Sequence, residues 1–289
     1  MGGYDVQDTY LNVLGIYTNT TQVDAYRGAG RPEAIYLLER MMDRAARELK
    51  IDPLELRRIN FIKKDNFPYR SSTGETIDVG DFDRVLSAAE ISADIAGFER
   101  RKKESEAKGM LRGLGLCYYI ESILGDPSEE AKVVFEEDGD VKIFVGTQSN
   151  GQGHETVFAQ FLSDQLGIPT EKIAVVQGDS DLIPNGGGTG GSRSVTVQNN
   201  ATLATVEKVL QSFSQYLSEK LEVDVENIEF DDTSFRINGS NYSPNVLEVA
   251  KMACEDQRFD LLKHSAKATL DARSFPNGAH FAEVEIDPE

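Results

Sequence analysis

Two glycine-rich segments carry the residues best suited to chemistry. The first runs Gly146-Thr147-Gln148-Ser149-Asn150-Gly151-Gln152-Gly153-His154-Glu155-Thr156; the second, about thirty residues on, runs Gly186-Gly-Gly-Thr-Gly-Gly191-Ser192-Arg193-Ser194. Each stands directly before a long amphipathic stretch. Backbone N–H groups at a helix start, cleared of side chains by glycine, form an anion cradle, so the pair points to a ligand bearing phosphate or several polar oxygens. The amide side chains of Gln148, Asn150 and Gln152 add donors and acceptors. A plain turn whose Asn and Ser cap the next helix would present the same residues, so the pattern alone leaves both readings open. A nucleotide-hydrolase phosphate loop needs lysine seven positions into the pattern, where this chain has Ser192, so an unrelated nucleotide-binding protein is disfavoured. Arg193, at a helix start, is a candidate for charge-assisted hydrogen bonds to an anion. A third site, Asp24-Ala25-Tyr26-Arg27-Gly28-Ala29-Gly30-Arg31-Pro32-Glu33-Ala34, brackets glycines with two arginines immediately before a helix, again a place for an oxyanion.

Composition narrows the possibilities. A net charge of -19 on 289 residues repels nucleic acid and anionic membrane surfaces, which need clustered Lys and Arg. The longest apolar runs fall well short of a membrane span and no signal peptide opens the chain, so a cytoplasmic location is expected. Cys117 and Cys254 lie far apart without metal-ligand spacing, and are read as packed thiols. With only His154, His264 and His280 besides, no protein-ligated metal is expected; any metal would arrive within a cofactor.

The elements that must position these residues follow from periodicity. Pro32 sits at the start of a helix predicted over 33–50, with Ile35, Leu38, Met42, Ala46 and Leu49 as its apolar stripe. Asp52-Pro53 restarts a helix to about Asn60, with Glu55 placed to answer the cap. Residues 61–78 read as loop, 81–89 and 91–108 as helices, and 111–123 as a buried strand. Asp138-Gly139 joins a hairpin of 131–137 and 140–146. A helix from His154 ends at a Gly167 cap, 173–177 is a strand, and 195–221 is the longest helix. Strands near Ile228, Phe235 and Tyr242, a helix over 244–254, and strands near 266–270 and 279–286 complete the pattern. The irregular alternation gives an α+β class, with mixed sheets and packed helices. The polar stretch around residues 60–80 divides a helical portion, 1–80, from a sheet-bearing portion, 81–289.

Three motifs in order, Ala25-Tyr-Arg-Gly-Ala-Gly-Arg-Pro-Glu-Ala34, Gly151-Gln-Gly-His-Glu-Thr156 and Gly190-Gly-Ser-Arg-Ser194, resemble the molybdenum-binding large subunit of the xanthine dehydrogenase, aldehyde oxidase and carbon monoxide dehydrogenase family. Further matches are Glu48-Leu-Lys-Ile-Asp-Pro-Leu-Glu-Leu-Arg-Arg-Ile-Asn60, Gly178-Asp179, Pro276-Asn-Gly-Ala-His280 and the closing run from Glu283, so the resemblance spans nearly the whole chain. It implies that Arg27, Gly28 and Ala29 line the substrate side of a molybdenum centre, that Gln152, between Gly151 and Gly153, hydrogen-bonds a molybdopterin-type cofactor, and that Gly191, Ser192, Arg193 and Ser194 hold its polar or phosphate-bearing end. The cofactor and its oxo, sulfido or hydroxo groups ligate the metal in that family, consistent with a chain poor in ligand clusters.

Departures from the family carry information too. Carbon monoxide oxidisers have cysteine where this chain has Gly28, and purine oxidases often have an aromatic residue at Ala29, so an aldehyde or small N-heterocycle is the expected substrate class. The resemblance puts the catalytic glutamate and a glycine- and phenylalanine-rich loop outside this sequence. The chain is thus expected to be an internal fragment of a longer subunit, inactive alone, with iron-sulfur and FAD partners, and prone to form a homodimer through surfaces that its parent covers. Glu121 and Glu155 are the nearby carboxylates, and structural roles are expected for both, so no catalytic residue is assigned. A folded module that binds no cofactor by itself is the alternative, which molybdenum and pterin analysis decides.

Overall fold

The computed structural model describes residues 2–288. In chain order the elements are α1 (Arg31–Leu49), α2 (Pro53–Asn60), the short strands β1 (Tyr69–Arg70) and β2 (Thr76–Ile77), α3 (Phe82–Ser92), α4 (Phe98–Glu106), β3 (Leu111–Ile120), β4 (Ser128–Phe135), β5 (Val141–Val145), α5 (His154–Leu166), β6 (Ile173–Val176), α6 (Ser194–Leu221), β7 (Ile228–Phe230), β8 (Phe235–Ile237), α7 (Val246–Glu255), β9 (Lys263–Thr269) and β10 (Asn277–Ile286). This mixture of helices and sheets, without a barrel, is the α+β class expected.

The chain divides into two compact units: the described residues up to Ser122 together with those from Ser274, and Ile123–Arg273. A boundary near residue 80 was expected from the polar stretch there. The compact units divide elsewhere because β10 returns to pair antiparallel with β3 along ten residues, from Asn277 opposite Ile120 to Ile286 opposite Leu111. Nothing local in the sequence announces that pairing.

In the first unit, Tyr4, Phe61, Phe82, Leu86 and Tyr118 form a core in which the Phe61 and Tyr118 ring centroids lie 4.6 Å apart. Inside it sits a buried charge network. Glu39 of α1 accepts hydrogen bonds from the Tyr4 hydroxyl (2.6 Å), Arg57 Nε (2.9 Å) and the Tyr118 N–H (2.8 Å), so one carboxylate ties α1 to α2 and β3. Burial first, and then the Glu39 charge, pushes the Tyr4 phenol far above its ordinary range. Residues 7–29 are exposed and form no helix or strand; Tyr10, Leu11, Leu14, Ile16 and Tyr17 each show three-quarters or more of their surface.

The second unit is built on a four-stranded sheet in the order β6-β5-β4-β9. Strands β4 and β5 form the expected hairpin, with Gly139 at φ 86° in its turn, and α5 carries the chain from β5 to the parallel strand β6. Helix α6 buries Val197, Ala201, Thr205, Val209, Phe213 and Leu217, a four-residue stripe laid against the fully buried Val133 and Ile143 of the sheet. Gly167 ends α5 in the left-handed conformation, as expected.

Local differences have physical reasons. The helix expected over 91–108 is interrupted: Asp94 takes a left-handed conformation, a short 3-10 turn follows, and α4 starts only at Phe98. The segment 61–78, expected as loop, contains the β1–β2 pair, whose strands are too short to give a periodic signal. Tyr242 lies in irregular chain rather than a strand, after the β7–β8 hairpin has closed.

Candidate functional site

The two glycine segments of the second unit meet. The Gly188 N–H donates to the Gly146 carbonyl (3.2 Å), and the Gln148 N–H donates to Thr189 Oγ1 (3.0 Å). The approach is so close that a Cβ added to Gly186 would lie 2.5 Å from the Gly146 oxygen, which accounts for glycine at both positions. Helix α6 secures the junction: Gln198, fully buried, accepts from the Gly146 N–H (3.1 Å) and donates to the Glu130 carbonyl (3.1 Å). Ser194 at the start of α6 reaches Thr189 Oγ1 at 3.3 Å.

Between these anchors the loops open outward. Gly151, Gln152 and Gly153 are exposed, as are Gly191 and Ser192. Gly151, Gly153, Gly191 and Ser192 all have positive φ, which turns the backbone away from a helical or extended path. Both α5 and α6 begin without a side-chain cap, so the first N–H groups of each helix lack an intrahelical partner and carry the positive end of the helix dipole. A Cβ at Gly151, Gly153, Gly188 or Gly190 would meet nothing within 4 Å, so this face of the loops is open space. The turn shapes itself: the Asn150 N–H donates to the Gln152 side-chain oxygen (2.5 Å), and the Ser149 N–H to Gln177 Oε1 (3.0 Å). The Gln152 carboxamide keeps its NH2 donors beyond that bond. Free backbone donors, amide groups and hydroxyls on an open face fit a neutral or anionic group rich in oxygen and nitrogen.

Arg193 differs from what its position suggested. Its side chain is buried rather than turned toward an anion. Nε donates to the Asp126 carbonyl (2.8 Å), Nη1 to Glu129 Oε2 (3.0 Å) and the Gly188 carbonyl (2.8 Å), and Nη2 to the Ser128 carbonyl (2.6 Å). Four of its five N–H donors are thereby occupied within the protein. The Asp126 carboxyl is held below its usual range, first by the Ser128 N–H. Ser192 and Ser194 thus present backbone and hydroxyl groups beside an internally neutralised arginine.

Arg27, Gly28 and Ala29 belong to the first unit, on an exposed turn ahead of α1. The Ala29 N–H donates to the Tyr26 carbonyl (2.9 Å) and the Arg31 N–H to the Gly28 carbonyl (2.9 Å). Gly28, Ala29 and Gly30 have φ of 101°, 48° and 96°, a run of left-handed residues in which Ala29 alone carries a Cβ. The Arg27 guanidinium lies 5.7 Å from the Tyr26 ring centroid. Both carboxylates considered as bases have structural partners: Glu121 pairs with Arg31 Nε (3.1 Å) and accepts from the Ser122 N–H, and Glu155 accepts from Gln177 (2.5 Å). Among the described residues, no group of three or more His, Cys, Asp or Glu side chains could hold a metal ion, and no helix is long and apolar enough to cross a membrane.

Sequence reasoning missed Glu129, Gln198, Thr189 and Gln177. Their partners lie tens of residues away; Thr189 sits inside the second glycine segment, and for the other three, which lie in no motif, a glutamate or glutamine at a position where strand or helix spacing demands an apolar residue was the available signal.

Residues 88–289 match a family described as molybdopterin cofactor-binding domain, and residues 1–61 match a second family of the same description. The chain is 30% identical, over 99% of its length, to the carbon monoxide dehydrogenase large chain of Afipia carboxidovorans, and 31% identical, also over 99%, to the nicotine 6-hydroxylase large subunit of Paenarthrobacter nicotinovorans. It spans 38% and 37% of those relatives. Quinoline 2-oxidoreductase from Pseudomonas putida 86 superposes with a TM-score of 0.76 at 27% identity, covering 91% of this chain and 36% of that one.

Proposed function

Since this chain belongs to the molybdopterin cofactor-binding domain family, we propose that it is the pterin-holding part of a molybdenum hydroxylase large subunit. The observation that carries this reading is the junction of the two glycine loops, in which Gly188 and Gln148 bond across to Gly146 and Thr189 beside two uncapped helix starts. When bound, the cofactor would supply a molybdenum centre able to accept an electron pair from the carbon being oxidised. The chain's own residues bind and orient it. Gln152 offers its carboxamide to the pterin. The backbone of Gly151 and Gly153, the Gly191 and Ser192 N–H groups and the Ser194 hydroxyl take its polar, phosphate-bearing end, with the α6 dipole adding attraction. Arg193 keeps the loop in shape from beneath.

Arg27, Gly28 and Ala29 line the substrate side in this reading. Gly28 offers no thiol to a second metal, so carbon monoxide is not the substrate, and Ala29 gives no aromatic face to a purine. Oxidative hydroxylation of an aldehyde or a small N-heterocycle is the reaction proposed for the parent protein, with iron-sulfur and FAD partners carrying electrons away. Turnover requires a general base, a role not assigned to Glu121 or Glu155, which are tied into structural contacts.

The test is the molybdenum and pterin content of the chain purified from cells that make the cofactor. Gln152→Ala removes one side-chain hydrogen-bonding group and lowers retained pterin about two- to tenfold. Equal content in wild type and variant contradicts the assignment of Gln152.

A further inference from the structure

We infer that Glu129 and Arg193 are positioning residues whose buried ion pair sets the conformation of both glycine loops. The inference concerns the loops' shape, and rests on the function proposed above only for what they hold. Glu129 stands at the start of β4 with 3% of its surface exposed, and Arg193 precedes α6 with 2% exposed. Their surroundings include both glycine segments. Glu129 Oε2 accepts from the Gly187 N–H (3.0 Å) and from Arg193 Nη1 (3.0 Å), while Oε1 accepts from the Glu130 N–H (3.1 Å). Oε1 also takes the space beside Gly146, where an added Cβ would fall 2.3 Å from it. Arg193 spans the Asp126, Ser128 and Gly188 carbonyls. Gly187 is pressed against the guanidinium, a Cβ there falling 2.5 Å from both Nη atoms. The first loop is therefore shaped against the carboxylate and the second against both partners, so the two cannot shift independently.

The chemistry explains why an ion pair occupies this place. An apolar pair of similar volume would fill the space, but would leave the Gly187 N–H and three carbonyls without these partners in a partly buried position. A carboxylate and a planar guanidinium satisfy all four while neutralising each other, and the fork of Arg reaches several acceptors at once, which the single ammonium of Lys cannot. The same saturation keeps Arg193 from the open face of the loops.

Hydrogen exchange of the full chain decides the matter. Glu129→Gln removes the charge that holds Gly187 and Arg193 and should speed exchange at the Gly187 and Gly188 amides about ten- to a hundredfold. Arg193→Lys, which preserves charge but not the fork, should fail to restore slow exchange. Val133→Ala, on the same strand and fully buried, is the control for general weakening: it should lower global stability without selectively loosening residues 186–190. Wild-type exchange in Glu129→Gln, or full protection in Arg193→Lys, overturns the inference, as does equal loosening in the Val133 control. Molybdenum and pterin content measured on the same samples reports on the proposed function separately: faster loop exchange in a chain whose wild type retains no pterin would sustain the brace and refute the cofactor reading.

Discussion

Gly146 and Gly186, forty residues apart, pack backbone against backbone so tightly that a methyl group on Gly186 would stand 2.6 Å from the Gly146 Cα. Gly186→Ala should consequently force the loops apart and lower stability by about 1–3 kcal/mol, the usual cost of overpacking. Gly190→Ala, whose added methyl meets open space, should change stability by less than about 0.5 kcal/mol. Urea denaturation of both variants checks the contrast, and equal losses would show that the close approach does not exist in solution.

The same Gly190→Ala variant should nevertheless bind cofactor less well, because its methyl enters the face proposed for the ligand. Stability without pterin retention is the expected combination; unchanged retention would move the ligand away from this loop.

In the first unit, Glu39→Leu should destabilise by about 3 kcal/mol, since it takes from the fully buried Arg57 its buried carboxylate partner and leaves it only Asp43. Removing both charges in Glu39→Leu/Arg57→Met should cost less than the single change. A double-mutant cycle by chemical denaturation measures the coupling, and additive losses would mean that the pair does not interact.

Acid should loosen β10. The Glu283 carboxyl is lowered from its ordinary 4.5 to about 2, first by the Arg101 hydrogen bond and then by Arg112. A carboxylate with a lowered folded-state pKa stabilises above its ordinary range and loses that contribution as pH falls from about 4.5 toward 2. The stability difference between wild type and Glu283→Gln should therefore be present at neutral pH and vanish near pH 2. A difference independent of pH would remove the ion pair from the account.

The exposed run from Tyr10 to Tyr17 predicts association. A surface with so many large apolar side chains open to water favours self-contact. Light scattering across micromolar concentrations should show dimers or larger species, and Tyr10→Ser/Leu14→Ser/Ile16→Ser should reduce them; a strictly monomeric wild type contradicts this.

Local signals carried much of the architecture. Asp52-Pro53 marked the start of α2, where the Asp52 side chain accepts from the Leu54 and Glu55 N–H groups. Asp138-Gly139 marked the hairpin, Gly167 the end of α5, and four-residue spacing the length of α6. What escaped was non-local. The β3–β10 ladder joins residues from 157 to 175 positions apart, and the resulting grouping of chain ends cannot be read from composition around residue 80. At the candidate site the glycines were legible because backbone approach demands them. The role of Arg193 was not, because its partner Glu129 lies 64 positions away and a helix-start arginine looks alike whether it faces solvent, an anion or a buried carboxylate.

The proposed function rests on the joined loops around Gln152 and Ser192 holding a molybdopterin-type cofactor. Pterin and molybdenum per chain, measured on protein made in cofactor-producing cells, test it most directly when wild type is set beside Gly190→Val, which fills open space on the face of the loops. The account predicts pterin in the wild type and a loss of about tenfold or more in the variant, in line with blocking contacts worth over about 1.4 kcal/mol. Absence of pterin from the wild type, or equal amounts in both, would contradict it.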